Sequence, residues 1–532
     1  MNKLQIKAEI LATIRAFSIS ETPDPLLLED LKKIEDKKSV LEALIRELTN
    51  ADEQKVLIIC WLLTELIDKD KLNDELWNVI KSPDYSDHVK MVAFNMLKDL
   101  GNKIDYDVIS GYFEQFNELI NKETKELLDV AIMNPEAQID FMDFLSALSD
   151  NDKILLIRSL EEDYANDALA NIVIPVFLYY MNTEVGDAAL EILGKTKSQL
   201  AFHALESARR YVSEAMAGKI NRVLSALKLS GIRVDNTIDF YKEILSESKP
   251  YRCYASFPDG HGNIAVIFSR KRGNGTLQFL AAVLSPKFGI LDAFGFNSMT
   301  EQDFVRVVDK FYNYQEKYEI SAGVVKYLLN QAVDISYYIG EQIPYEYICW
   351  ESILLDVEQE TVDIDIERRD LSQKDIDKLC LSPYVQNWFF DEITSPEFEI
   401  FINKLSDEYK SNNYSVDLDK FVANHFDEVY TDEELAYQTV IFSVAAYFRY
   451  LKNDMELAQI FHSLGTNYAF LTNILRKSIY EYYVGKRYLL KNQRKTSSPF
   501  EKKVATDNDD FKLLQLDIII SGIEAKWVDN NA

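Results

Sequence analysis

The sequence predicts a mainly α-helical chain: an N-terminal α-solenoid-like run of helical repeats, a middle α+β module with a small antiparallel sheet, and a C-terminal helical domain. Three observations predict it. Apolar residues recur at spacings of three and four through most of the 532 residues, as in helices that each bury one stripe. Glycine and proline are few, 17 and 12, against 30 tyrosines and 29 phenylalanines. Scarce breakers disfavour a turn-rich all-β fold. Near residue 250 the pattern switches to short β-branched runs between glycine-rich turns, the signal of hairpins. So long a chain exceeds one compact core, and the changes of pattern divide it into 1–232, 233–370 and 371–532.

In the first part, apolar-periodic blocks at 39–48, 53–66, 88–100, 154–160 and 185–193 are separated by polar or acidic breaks. Cys60 falls inside an apolar helix and reads as a small core residue. Pro175, beside the aromatic run Phe177-Leu-Tyr-Tyr180, would kink a buried helix or mark its first turn. Two blocks overlay. Val89, Ala93 and Leu97 match Val185, Ala189 and Leu193 at equal offsets, each after a polar lead-in, with Gly101 and Gly194 following as closing glycines. This pattern resembles the second helix of a HEAT-like repeat, in which Val and Ala pack inward and a Leu-Gly ends the helix. The resemblance rests on two blocks within the first 232 residues. It implies stacked helices whose extended surface binds protein segments. An irregular helical domain is the alternative.

In the middle part, strands are expected at 251–257, 264–270, 276–284 and 288–294, forming an antiparallel meander. The turns are Asp259-Gly-His-Gly-Asn263, Lys271-Arg-Gly-Asn-Gly275 and Ser285-Pro-Lys287. Thr300-Glu-Gln-Asp303 has capping-box spacing and opens a helix with Phe304, Val308, Phe311 and Tyr312 on one face. A second helix is expected at 322–338, before Gly340 and Pro344. The sheet would then be covered by helices on one face. The aromatics of 345–353 read as core. Residues 361–367 alternate strictly and read as a strand, with Val362, Ile364 and Ile366 inward and Asp363, Asp365 and Glu367 outward.

Helices resume at 395–405, 417–426, 433–451, 455–464 and 467–490. Thr431-Asp-Glu-Glu434 is a capping box, and the helix it opens is apolar nearly all round, as in a central helix. Lys486, Arg487, Lys491, Arg494, Lys495, Lys502 and Lys503 form a basic stretch broken at Thr496-Ser-Ser-Pro499. It reads as cations at a helix C-terminus running into a connector. The apolar segment 511–520 and Trp527 are expected to dock.

The net charge of −29 repels phosphate backbones and anionic lipid, which disfavours nucleic acid and membrane surfaces as partners. The four cysteines, Cys60, Cys253, Cys349 and Cys380, form no CxxC pair and fit a reducing, cytoplasmic setting. Lys3, Lys7, Glu9 and Arg15 interrupt the first 17 residues, so no signal peptide is expected, and no apolar run is long enough to span a bilayer. No phosphate loop, dinucleotide fingerprint, His-Glu-x-x-His or Gly-x-Ser-x-Gly occurs, and no cofactor is implied.

Two clusters carry possible chemistry. Asp259 and His261 in the glycine-rich turn, with Asp292 as the converging acid, are the catalytic candidates, with turn chemistry as the plain alternative. Asp363, Asp365 and Glu367 could present three carboxylates to a divalent cation, or serve as a charged edge that prevents strand pairing. Arg270-Lys-Arg272 reads as a solvated basic spot at a hairpin tip. The expected function is a non-enzymatic protein-interaction or scaffold role for the helical surface. A hydrolase or nuclease with its site in the middle module is the alternative.

Overall fold

A computed structural model describes residues 3–19, 25–49, 51–102, 104, 106–232, 237–313, 316–391, 395–413, 415–496, 512–521 and 523. The chain divides into two compact units, Met1–Leu127 and Leu128–Ala532, where the sequence pattern placed its breaks after 232 and 370.

The first unit is helical: α1 (Lys3–Ile19), α2 (Pro25–Lys32), α3 (Lys37–Leu48), α4 (Glu53–Leu66), α5 (Lys69–Lys81), α6 (Asp87–Asp99) and α7 (Tyr106–Ser110). Asp36, Asp52 and Asp68 start α3, α4 and α5 by accepting from the backbone N–H of Ser39, Lys55 and Asp70. α1 packs on α3 and α4, α3 on α4, and α5 on α6. Val89, Ala93 and Leu97 are all buried. Gly101 ends α6 in the left-handed conformation, φ +85°, and the Asn102 N–H donates to Leu97 O at 3.1 Å. The boundary between the units falls within α8 (Phe116–Ala131).

The second unit continues with α9 (Pro135–Ser146), α10 (Asp150–Asp163), α11 (Asn166–Tyr179), α12 (Glu184–Lys195), α13 (Gln199–Ala208), α14 (Glu214–Leu229) and α15 (Thr237–Ile244). α12 packs on α10, α11 and α14, and α11 packs on α13. Contacts thus run to the next helix and the next but one. Val185, Ala189 and Leu193 are buried. Gly194 does not close its helix, contrary to the sequence pattern. It lies inside α12, where an added Cβ would meet the Val223 side chain of α14 at 3.2 Å, and Thr196 is the C-cap. Pro175 sits deep in α11, not in its first turn. Its missing N–H would free the Asn171 carbonyl, which instead accepts from Gln138 Nε2 of α9 at 3.3 Å.

The sheet contains β1 (Ser248–Pro250), β2 (Cys253–Ser256), β3 (Ile264–Arg272), β4 (Leu277–Ser285), β5 (Gly289–Met299) and β6 (Lys317–Ile320). Its order is β5-β4-β3-β2-β6, antiparallel throughout, with β1 paired to the far end of β3. The expected meander is present. β1 and β6, three and four residues long, were too short to stand out as runs. α16 (Glu301–Phe311) starts at Thr300, whose hydroxyl accepts from Asp303 N. α17 (Ala322–Ile339) ends at Gly340, and α18 (Tyr345–Glu351) runs into a 3₁₀ turn, Ser352–Leu354.

Helices cover both faces of this sheet, not one. Val266, Phe268, Leu280 and Ala282 pack on α17 and α18. Ile267, Phe279 and Ala281, on the alternate face, meet Phe304, Val308 and Tyr312 from α16 and the residue after it. The near-continuous apolar run of β4 is the reason, since a sheet with one wet face would alternate.

Residues 361–367 form no strand, contrary to the expectation. Their alternation has another cause. Val362 packs toward the sheet core while Ile364 packs toward the C-terminal helices, and Asp363, Asp365 and Glu367 stay exposed.

The C-terminal helices are α19 (Gln373–Cys380), α20 (Pro396–Ser411), α21 (Leu418–Val429), α22 (Asp432–Leu451), α23 (Met455–Leu464) and α24 (Tyr468–Thr496), with residues 512–521 also helical. α22 is central. Its Ile441 and Phe442 lie in the C-terminal core, while Val444 and Phe448 lie in the sheet core. Phe257 joins the same two cores, with ring centroids of Tyr384 at 5.1 Å and Phe461 at 5.8 Å. Only half of the Thr431 capping box forms. Thr431 accepts from Glu434 N, but the Glu434 carboxylate turns to Lys287 Nζ at 2.5 Å and Gln438 Nε2 at 2.9 Å. Ser497, Ser498, Pro499, Lys502, Lys503, Phe511 and Trp527 lie outside the described residues. No described helix is long and apolar enough to cross a membrane.

Candidate functional site

The glycine-rich turn is organised by its own acid. Asp259 Oδ1 accepts from the backbone N–H of His261 at 2.9 Å and of Asn263 at 2.8 Å, and Oδ2 accepts from Asn263 Nδ2 at 3.0 Å. This is Asx-turn chemistry. Gly262 holds φ +80° against Pro286 and Ile441, and Trp388 Nε1 donates to Pro258 O at 3.2 Å. His261 Nε2 lies 3.2 Å from Asp391 Oδ2. Asp292 does not join them. It is exposed on β5, paired across the ladder with Val283, and makes no hydrogen bond or ion pair to Asp259 or His261. The sequence contains no local sign of Asp391 as the partner, because the contact depends on a C-terminal loop docking against the turn.

Asp363 accepts from Thr361 Oγ1 at 2.7 Å. Among the described residues, no group of three or more His, Cys, Asp or Glu is placed to hold a metal ion.

Arg270 is not part of a solvated spot. β3 continues through it, so strand alternation turns it to the same face as Phe268, toward α17 and α18. Its side chain is wholly buried. NH1 and NH2 bind Asp356 Oδ1 and Oδ2 at 2.6 and 3.0 Å. The remaining donors reach Ile353 O at 2.9 Å, Ser248 O at 2.8 Å, Ser248 Oγ at 2.9 Å and Leu245 O at 3.4 Å. A guanidinium with its fork filled in this way fixes three chain segments together.

Those three segments wall a cavity of about 480 Å³ between the α9–α13 helices, α15 and the α17–α18 side of the sheet module. Ile174, Leu178, Ala204, Ile238 and Val333 form much of its apolar lining. Gln138, Asn171 and Pro175, which complete the interrupted turn of α11, also line it. At one side Arg272 and Gln278 both donate to Asn297 Oδ1, at 2.6 and 2.8 Å. At another side Glu351, the last residue of α18, shares the wall with Tyr211, Tyr241, Tyr337 and Tyr347. Tyr211 and Tyr337 stack with centroids 4.0 Å apart.

Burial raises the Glu351 carboxyl pKa, and the charges of Lys326 and Arg210 only partly oppose it. Burial also raises all four tyrosine hydroxyls, and the Glu351 charge adds to each. Burial lowers the Lys326 ammonium, whose donors are taken by Val357 O at 2.7 Å, Leu354 O at 3.0 Å and Leu355 O at 3.3 Å. The arrangement can enclose an apolar body and present a few polar groups to it. Sequence reasoning identified 345–353 as core but not as a cavity wall. The available signal was a single charge, Glu351, inside the run Tyr347-Ile-Cys-Trp-Glu-Ser-Ile353.

No protein-family model, no curated protein and no solved structure matches this chain.

Proposed function

We propose that this chain is a binding protein that takes a small, largely apolar molecule into the cavity between its helical run and its sheet module. The observation that carries this reading is the cavity itself. Its volume of about 480 Å³ is that of small-molecule sites, and such sites combine an apolar lining with a few convergent polar groups. Four free cysteines fit residence in a reducing, cytoplasmic compartment. The test uses the neutral apolar dye N-phenyl-1-naphthylamine with the full chain. Saturable fluorescence enhancement at one site, lost in Ala204→Trp, is expected. Enhancement that does not saturate, or that Ala204→Trp leaves intact, overturns the reading.

The interaction-scaffold reading has a separate support in the first unit. Leu57 and Trp61 lie one turn apart on α4 and are 72% and 39% exposed, an arrangement that contacts between protein surfaces use. A protein segment with an apolar face is the matching partner, and the net charge counts against nucleic acid. Cross-linked partners retained by the wild type but lost from Leu57→Asp support it. Partners unchanged in Leu57→Asp and Trp61→Asp remove it.

A further inference from the structure

We propose that the cleft between α20, α24 and the helix at 512–521 is a second ligand site. It takes a long-chain carboxylate, with the alkyl chain on an aromatic floor and the head against Lys410, Lys486 and Lys512. The site is separate from the cavity beside the sheet module and does not depend on that cavity binding anything.

The cleft has a volume of about 440 Å³, the size of small-molecule sites. Its floor is fixed by packing. Tyr409, Tyr483 and Ile519 line it and are buried in the C-terminal core. The Tyr409 and Tyr483 rings meet edge to face with centroids 5.9 Å apart, and the Tyr483 and Ser406 hydroxyls lie 3.1 Å apart. The helix at 512–521 is held from two directions. Ile519 and Ile520 lie in the same core, and Arg487 Nε stands 2.7 Å from Asp517 Oδ1. Leu489, Leu490 and Leu516 add apolar wall for an alkyl chain, and Leu489 is 60% exposed.

The rim carries the opposite sign to the chain. The sequence has 87 acids against 58 bases, yet three lysines and no acid line this cleft. Lys410, Lys486 and Lys512 are exposed and come from three separate helices. Lys486 Nζ lies over the Tyr482 ring, 4.1 Å from its centroid. Neither Lys486 nor Lys512 pairs with a carboxylate among the described residues. Lys410 Nζ lies 2.8 Å from Asp407 Oδ1, an exposed pair on one helix turn that contributes little by itself. The other acid close by, Asp517, is engaged by Arg487. Cations around one apolar cleft repel each other, and an anionic head among them relieves that repulsion. A cationic head adds to it, and a neutral head leaves it unchanged. An anionic bilayer would meet the same lysines, but the net charge of −29 opposes its approach.

The experiment is isothermal titration calorimetry of the full chain with decanoate, decanol and decylammonium at about pH 8, where lysine is charged and a carboxylic acid ionised. Decanoate is expected to bind saturably and more tightly than decylammonium. The triple variant Lys410→Gln/Lys486→Gln/Lys512→Gln changes only exposed positions, so it keeps the fold. It is expected to weaken decanoate about tenfold, the combined scale of three exposed charge contacts, and to leave decanol unchanged. Ala204→Trp, which blocks the other cavity, is expected to leave decanoate affinity intact. Decanoate affinity unchanged in the triple variant, or lost in Ala204→Trp alone, overturns this site and leaves the other cavity standing. No saturable decanoate binding overturns it as well. Lysine-dependent sedimentation with phosphatidylserine vesicles in the absence of decanoate binding replaces it by a surface patch and also overturns it.

Discussion

Substituting Asp356 by alanine is expected to cost about 3–5 kcal/mol, because it strands the buried guanidinium of Arg270 without its counter-charge. The Arg270 side chain is 0% exposed and that of Asp356 11%, so water cannot take the carboxylate's place. Arg270→Met removes the charge but frees the carbonyls of Ile353 and Ser248, while Leu245 O keeps the Ser248 N–H at 3.0 Å. Each orphaned carbonyl costs roughly 1 kcal/mol or more, so this variant also loses about 2 kcal/mol or more. An ordinary buried ion pair can be replaced by apolar residues at little loss. Here the double variant Arg270→Met/Asp356→Leu is expected to stay destabilised by roughly 2 kcal/mol, since the same two carbonyls remain. The singles therefore do not add. The assay is urea unfolding followed by tryptophan fluorescence, in which Trp350 and Trp388, both buried in the second unit, report the relevant transition. Leu245, Ser248 and Ile353 all line the cavity, so dye affinity should fall together with stability. An Asp356→Ala variant within about 1 kcal/mol of wild type, or a double variant as stable as wild type, would refute the reasoning.

Three further expectations follow from single features. The native Glu351 pKa is raised, so its contribution to stability is present below the unfolded carboxyl pKa and is lost as pH rises through the folded value. Glu351→Gln should therefore raise the thermal midpoint at pH 8 and not at pH 4; a lower midpoint at pH 8 would contradict the raised carboxyl pKa. Gly262→Ala places a methyl group against Ile441 and Pro286 at φ +80° and should cost about 1–3 kcal/mol in urea unfolding, whereas a neutral result would mean that the turn is not docked as described. Burial pushes the Cys253 thiol up to about 12 and Cys60 and Cys380 up to about 11, and raises Cys349 further. Iodoacetamide at pH 8 should then modify less than one thiol per native chain and all four after denaturation; two fast-reacting native thiols would count against this burial.

Signals that act within one turn of chain were legible. The block at 53–66 is α4 (Glu53–Leu66), and that at 455–464 is α23 (Met455–Leu464). Thr300 and Gly340 bound their helices as their chemistry requires. Signals that depend on a distant partner were not. The alternation at 361–367 arises from packing against two different cores, which mimics the period of a strand. Glu434 leaves its capping box for Lys287, far away in sequence. His261 finds Asp391, not Asp292, because the turn docks on a loop that chain order does not bring near. Arg270 looked like hairpin-tip charge because its counter-ion, Asp356, comes from beyond α18.

The sequence by itself determined the helical run, the meander, the central helix α22 and the acidic charge, since periodicity, caps, turns and composition are local or additive properties. Tertiary structure decided that both faces of the sheet are covered, that Arg270 is buried, and that α9–α13, α15 and the α17–α18 layer of the sheet module line one cavity. It also decided that Glu351 faces that cavity among four tyrosines. A cavity is space left over by packing, and the residues around it come from stretches that share no motif. Only the fold brings them together.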